Sequence, residues 1–179
     1  MNYPEILDFW FVELKQKDWW KKSAELDGLI TRRFTQVHEQ AKMGLLYQWR
    51  ENAEGALAEI LVLDQFSRNM FRDKPEAFAQ DPVALVLAQE ALRRGLDQLL
   101  PTLQRQFLYL PFEHSEAGSM QEESVRLYSL LDDALTLDFA KRHKAIIDRF
   151  DRFPHRNAIL GRKNTEAEEI FLREPGSSF

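Results

Sequence analysis

The stretch DPVALVLAQEALRRG, residues 81–95, has the features of an α-helix at both ends and along its length. Asp81 is suited to cap the N-terminus, Pro82 to occupy the first turn, and Gly95 to stop the helix. The rest of the chain is similar in composition. Leu, Ala, Glu, Gln and Arg dominate, and the alternating Val, Ile and Thr typical of strands are missing. We therefore expect an all-α fold.

Proline and capping patterns predict further helix boundaries. Pro111 is expected to end or kink one helix, and Pro154 to stop the long helix that precedes it. Capping-box spacing occurs at Ser119–Glu122 and at Thr165–Glu168, which predicts two helix starts. Together these patterns predict about seven or eight helices, arranged either as tetratricopeptide-like pairs or as an irregular bundle.

The length of 179 residues suits one domain, and no low-complexity linker divides it. We predict a single domain over 1–179, with a tail at 174–179 that is coil by composition. The chain contains no cysteine, which excludes disulfides, zinc thiolate sites and a cysteine nucleophile. The N-terminus lacks the basic region of a signal peptide, and no segment has about 18 apolar residues in a row. We expect a cytoplasmic protein without a membrane partner.

The net charge of −5 argues against binding to a nucleic-acid backbone, but the charge is unevenly distributed. Between Lys141 and Lys163 there are eight Lys and Arg residues against Asp148 and Asp151, a local charge of +6. Such a stretch in an acidic protein attracts a small anion or pairs with acidic neighbours. The composition leaves both alternatives open.

One polar group lies on the apolar face of a helix. Leu57, Ile60 and Leu61 define that face, and Asp64 and Arg68 continue it. Because the helix is apolar almost all round, Asp64 is expected to be shielded from water and to pair with Arg68 at i, i+4. The pair is either structural or, together with Asn69, the edge of a pocket.

A second candidate site is FLYLPFEHSE, residues 107–116. Here Glu113, His114 and Glu116 follow an apolar run at the expected end of a helix, a position suited to presenting chemistry. A carboxylate beside a histidine can orient the ring and raise its basicity, as a general base requires. His143, in contrast, shares a helix face with Phe residues and is expected to be a hydrogen-bonded core residue.

A third candidate site is RFDRFPHRNAILGR, residues 149–162. Its polar residues with a possible role in binding are Arg149, Arg152, His155, Arg156, Asn157 and Arg162. Its DRFPHRN segment is similar to DQFSRN at 64–69, since both have Asp-x-Phe followed by Arg-Asn where an apolar helix ends. Two such corners facing each other would form an anion pocket, or they would satisfy each other's backbone groups.

Metal and phosphate-loop patterns are missing. No two of the four histidines stand at i, i+4, and the seven glycines are scattered rather than gathered in a loop. The sequence therefore predicts no metal ion and no other cofactor.

Several motifs together resemble a known family. These are LDQFSRNMFR at 63–72, AFAQD at 77–81, FLYLPFEHSE at 107–116, RFDRFPHRNAILGR at 149–162 and EPGSSF at 174–179. In this order they resemble the motifs of the bacterial domain of unknown function family 924, and the likeness begins at ILDFWF, 6–11. The resemblance implies a helical fold similar to tetratricopeptide-repeat domains and no established activity.

The resemblance also implies that the candidate residues named above belong to the family's motifs. The chain departs from the family pattern at four positions. The family usually has Pro where Ser67 stands, Gly where Asp73 and Asp151 stand, and Ser where Asn164 stands. Asp151 adds a negative charge beside Arg152, which would weaken the attraction of an anion there.

Three functions fit these residues. The favoured one is a binding module whose Arg, His and Asn side chains hold an anionic small molecule or a peptide carboxylate. The second is an enzyme with hydrolase- or isomerase-type acid–base chemistry, in which His114 or His155 acts beside Glu113 on an anionic substrate. The third is a structural network that fixes helix packing, with a protein partner bound elsewhere.

Overall fold

The computed structural model describes residues 2–177, and this part of the chain folds into helices joined by turns, with no strand. The prediction of an all-α fold is confirmed. No helix in the described part is long and apolar enough to cross a membrane. The predicted coil tail is in turns and bends over 172–177, while Ser178 and Phe179 lie outside the described residues.

The chain forms two compact units. The first unit runs up to Arg72 and includes Glu76–Pro111. Its α-helices are α1 Tyr3–Asp8, α2 Gln16–Trp19, α3 Ala24–Lys42, α4 Ala53–Leu61, α5 Ser67–Met70, α6 Asp81–Arg93 and most of α7 Thr102–Glu113. Two π-helical turns, Phe9–Glu13 and Val62–Phe66, and two 3₁₀ turns, Tyr47–Glu51 and Leu96–Leu99, also belong to this unit. The 3₁₀ turn Pro75–Ala77 has its first residue in the second unit.

The core of the first unit is aromatic. Phe34 lies between Phe9 and Phe66, with 4.8 Å between ring centroids on each side. All three rings are fully buried. Such packing contributes about 0.5–1.5 kcal/mol per aromatic pair beyond the burial of apolar area.

One glycine of the first unit is required by a close approach. A Cβ atom on Gly55 would lie 2.0 Å from the carbonyl oxygen of Trp49. The start of α4, which is capped by the Asn52 side chain on the Gly55 amide, therefore packs directly on the preceding 3₁₀ turn.

The second unit contains Asp73–Pro75 and the chain from Phe112 onward. It holds α8 Gly118–Tyr128, α9 Ala134–Phe150, the 3₁₀ turn Pro154–Arg156 and α10 Glu166–Phe171. Helices α8 and α9 pack against each other. A hydrophobic core forms from Ile146, Ile147, Phe153 and Phe171. The single domain over 1–179 and the tetratricopeptide-like arrangement remain predictions.

Two predicted helix starts are wrong in detail. Helix α6 includes Asp81 as its first residue and has Gln80 at the N-cap, because the Asp81 carboxylate instead accepts two hydrogen bonds from Arg68. Helix α8 begins at Gly118 with Ala117 at the N-cap and no side-chain cap, so the capping box predicted at Ser119 is absent. The capping box at Thr165 and Glu168 is confirmed.

Neither proline ends the helix that it was predicted to end, while a kink at Pro111 stays a prediction. Pro111 lies inside α7, two residues before the last residue of the helix. A proline at this position disrupts less of the helix than one at its centre would. Helix α9 stops at Phe150, because Asp151 adopts a left-handed conformation with φ of 56°. Pro154 begins the following 3₁₀ turn rather than ending the helix.

Candidate functional site

The first candidate corner lies in the first unit, where a π-helical turn places Asp64 in the interior. Asp64 is 1% exposed, and its Oδ1 lies 3.0 Å from Nη1 of Arg68, which confirms the predicted shielded pair. Arg68 also donates two hydrogen bonds to Asp81, of 2.9 and 3.0 Å. One guanidinium therefore binds two carboxylates. The i, i+4 spacing predicted the contact with Asp64 but not the contact with Asp81.

Asn69 at the same corner is also bonded to the protein. Its Nδ2 donates to Oδ1 of Asp27 over 2.8 Å, and Arg72 donates to both oxygens of that carboxylate. The polar groups of this corner thus hold α3 to α5. A role for Asp64, Arg68 and Asn69 in a pocket stays a prediction.

The second candidate corner follows α9 in the second unit and binds the carboxylate of Glu168 in α10. Arg152 donates from Nε and Nη2 to Glu168 over 2.6 and 2.7 Å. The buried Asn157 donates to the same carboxylate over 3.3 Å, and the Thr165 amide donates over 2.7 Å. The hydrogen bonds from Arg152, followed by those from Thr165 and Asn157, lower the pKa of Glu168 to about 2 despite its burial.

Glu116 is held by the same segment of chain. Its carboxylate accepts hydrogen bonds from Nη1 and Nη2 of Arg162, over 2.7 and 2.9 Å, and from the amide of Phe153, over 2.8 Å. Burial raises the pKa of Glu116, but the hydrogen bonds from Arg162 and Phe153 and the charges of Arg162 and Arg156 outweigh it and leave the pKa below its ordinary value. We call Arg162 and the Phe153 amide the Arg162 corner.

A set of ionisable side chains, the imidazole cluster, contacts the ring of Phe153 or the ring of its neighbour His143. Its members are Glu113, His114, His143, His155 and Arg156. The ring centroid of Phe153 lies 5.6 Å from those of His143 and His155, and the Arg156 guanidinium carbon lies 4.6 Å above it. The rings of His114 and His143 are 6.4 Å apart.

His143 is the most buried imidazole of the cluster, at 5% exposure. Its Nδ1 lies 2.9 Å from the carbonyl oxygen of Phe139 and 3.2 Å from Oε1 of Glu113. The prediction of a hydrogen-bonded core histidine is confirmed, and the contact with Glu113 was not foreseen. Burial is the main cause that lowers the pKa of His143 to about 3, and the charges of His114, His155 and Arg156 lower it further.

Arg149 lies apart from these contacts. It is exposed, and its guanidinium carbon packs 4.6 Å from the centroid of Phe150 and 5.6 Å from that of Phe171. Such packing is typical of a cation–π contact at a surface. Its role in ligand binding stays a prediction, as does the pairing of the two Arg-Asn corners, which belong to different units.

Sequence reasoning missed one residue of this region, Gln121, because no motif or spacing singles it out. It is fully buried in α8, and its Nε2 donates to the carbonyls of Glu113 and Ser115 over 2.7 and 2.6 Å. Gln121 therefore holds the connection between α7 and α8 that carries His114 and Glu116.

Among residues 2–177, no group of three or more His, Asp or Glu side chains is arranged to hold a metal ion.

Comparisons with known proteins place the chain in a family. A solved structure of a protein of unknown function from Agrobacterium tumefaciens is 41% identical, with a TM-score of 0.92 over 96% of each chain. A search among curated proteins gave no match. Residues 6–176 match the family described as a bacterial protein of unknown function, DUF924. The chain belongs to this family, as its motifs predicted.

Proposed function

We propose that the protein is a binding module, and that the imidazole cluster of the second unit holds a small anion bearing a carboxylate or phosphate group. The observation that carries the proposal is the convergence of two imidazoles and one guanidinium on the ring of Phe153, with the third imidazole, that of His114, beside His143. Glu113 contributes a carboxylate to the same cluster.

The environment suits the recognition of an anion. Arg156 is 6% exposed, so its charge acts in a medium of low dielectric constant, where an ionic hydrogen bond is stronger than in water. His114 and His155 are half-buried and therefore still reachable from solvent. A planar guanidinium offers paired donors to a carboxylate or phosphate, and the two imidazoles supply further donors when protonated.

The experiment is calorimetric titration of the protein with phosphate, citrate and succinate. We expect saturable binding, and we expect Arg156→Gln to weaken it by roughly tenfold to a hundredfold, the effect of losing a charged hydrogen bond. His155→Asn is a second variant in case the first fails to fold. The matched control is Arg142→Gln, which removes the same charge from an exposed side chain paired with Asp138 and should leave binding unchanged.

Two results would contradict the proposal. One is the absence of saturable binding by the folded wild-type protein at millimolar concentrations of all three anions. The other is an equal loss of affinity in the Arg156 variant and in the Arg142 control, because that would indicate a general effect of net charge.

A second candidate function is acid–base catalysis on an anionic substrate. It is favoured by the carboxylate–imidazole contact between Glu113 and His143 and by the two half-buried histidines beside it. His143 is held neutral by burial, so His114 and His155 are the candidates for proton transfer. His114→Gln distinguishes the two functions, since an enzyme loses turnover by a larger factor than it loses affinity, whereas a binding module has no turnover to lose.

The structural alternative accounts for the other candidate residues. Arg68, Arg152 and Arg162 each hold a carboxylate that belongs to the chain itself. For the pair of Arg68 with the buried Asp64, removing one partner costs about 3–5 kcal/mol, because the remaining charge is stranded. For these arginines a contribution to stability is therefore expected whether or not a ligand binds nearby.

A further inference from the structure

The Arg162 corner has the composition of a carboxylate-binding site. A guanidinium presents two donors and a backbone amide presents a third, and all three converge on one carboxylate, that of Glu116. Paired N–H donors in a plane match the two oxygens of a carboxylate, which gives geometric selectivity in addition to charge.

The corner is accessible to solutes. The side chains of Arg162 and Glu116 are 24% and 28% exposed, so the ion pair meets solvent on one side. Nε of Arg162 is buried and has no hydrogen-bond partner within residues 2–177. Nη1 and Nη2 are engaged by Glu116, and Nη2 also donates to the carbonyl of Phe153 over 3.2 Å, a contact that keeps the guanidinium in place when the carboxylate leaves.

The carboxylate in the corner comes from a separate, irregular segment. Glu116 lies in the connection between α7 and α8, whereas Phe153 and Arg162 flank the 3₁₀ turn after α9. Glu116 and Arg162 are 46 residues apart in sequence. A side chain outside a helix can rotate away without breaking helical hydrogen bonds, so a solute can compete for its position.

We propose that the Arg162 corner is a carboxylate-binding site in which Glu116 occupies the position of the ligand, and that an external carboxylate binds there by displacing it. The ligand class is a monocarboxylate or the carboxylate of a peptide or metabolite. This site is distinct from the imidazole cluster, although Arg156 is close enough to both to act on their charges.

The test replaces the internal carboxylate by an external one. Glu116→Ala is expected to lower the thermal midpoint, and acetate is expected to restore it saturably, by about 4 °C when acetate is in tenfold excess over its dissociation constant. Sodium chloride at the same ionic strength should restore less than a third of this shift. The double variant Glu116→Ala with Arg162→Gln should show no acetate effect.

The matched control is Glu123→Ala, which removes a carboxylate from another Arg pair of the second unit, that with Arg126 on α8. Acetate should not stabilise it beyond the chloride effect. If chloride and acetate act equally on Glu116→Ala, or if the control responds as strongly, Glu116 forms an ordinary ion pair and the proposal is overturned.

A measurement on the wild-type protein covers the case in which Glu116→Ala fails to fold. The side-chain Nε–H signal of Arg162 in a ¹⁵N spectrum should shift saturably with acetate, since displacement changes the partner of its guanidinium. No shift up to about 200 mM acetate, well above the range of weak millimolar binding, would overturn the proposal. Because Arg156→Gln should leave this shift in place, its outcome is separable from that of the proposed function.

Discussion

Three aspartates adopt the left-handed conformation, which disfavours side chains with a Cβ atom. They are Asp73, Asp132 and Asp151, with φ of 60°, 52° and 56°. The resemblance to the family implies Gly at two of them, Asp73 and Asp151. The structure gives the physical reason, since glycine adopts this conformation without steric cost. Asp151 therefore matters first as the residue that ends α9, rather than as a charge beside Arg152.

We predict that Asp151→Gly raises the free energy of unfolding by about 0.5–1 kcal/mol, because relief of the left-handed strain exceeds the entropy that glycine adds to the unfolded chain. Urea unfolding of the wild-type protein and the variant measures this change in the free energy of unfolding. Asp151→Ala is the matched control, since alanine removes the same charge but keeps the Cβ atom, and it should be less stable than the glycine variant. Equal stability of the two variants would show that charge, not backbone conformation, decides the effect.

At the scale of elements, a buried amide side chain of α8 holds the connection between α7 and α8. Gln121 Nε2 lies within hydrogen-bond distance of three carbonyls, those of Phe112 and Glu113 at the end of α7 and that of Ser115 in the connection. The last carbonyls of a helix lack partners within it, so a buried helix end needs donors from elsewhere. Gln121 supplies them and thereby positions the segment that carries His114 and Glu116.

Gln121→Leu keeps the approximate size of the side chain and removes the donor. We predict a loss of about 2–3 kcal/mol in the free energy of unfolding, because buried carbonyls are left unsatisfied. Amide exchange of residues 114–117 should become faster. Glu122→Ala, on the exposed face of the same helix, is the control and should change the stability by less than about 0.5 kcal/mol. A similar stability of both variants would contradict this role of Gln121.

At the scale of the whole chain, local sequence patterns were sufficient to predict the fold class and one ion pair, that of Asp64 with Arg68. Helix signals predicted the all-α fold, and the apolar face of α4 predicted that Asp64 is shielded and meets Arg68. The partners of Arg152 and Arg162 are 16 and 46 residues away. Sequence spacing carries no information on such contacts, so the second corner was recognised as polar but its internal carboxylates were not identified.

The same buried groups predict how the stability of the protein depends on pH. Burial lowers the pKa of His143 to about 3, and it is also the main cause of the lowered pKa of His38. Glu113, His114, His155 and Arg156 face His143. Glu113 favours the protonated ring, and burial together with the positive neighbours opposes it. Below the ordinary pKa of histidine the unfolded chain therefore binds protons that the folded protein excludes.

We predict that the free energy of unfolding is highest near neutral pH and falls as the pH drops below about 6.5, with a slope of at most about 1.4 kcal/mol per pH unit for each such histidine. Below pH 4.5 the fall steepens, because the pKa of Glu168 is lowered to about 2 and its ion pair stabilises the ionised form. Urea unfolding between pH 7 and 5 isolates the contribution of the histidines to the pH dependence of the stability. His143→Gln should reduce this slope and Glu168→Gln should not, whereas an unchanged slope in the His143 variant would show that this ring is not the group that titrates.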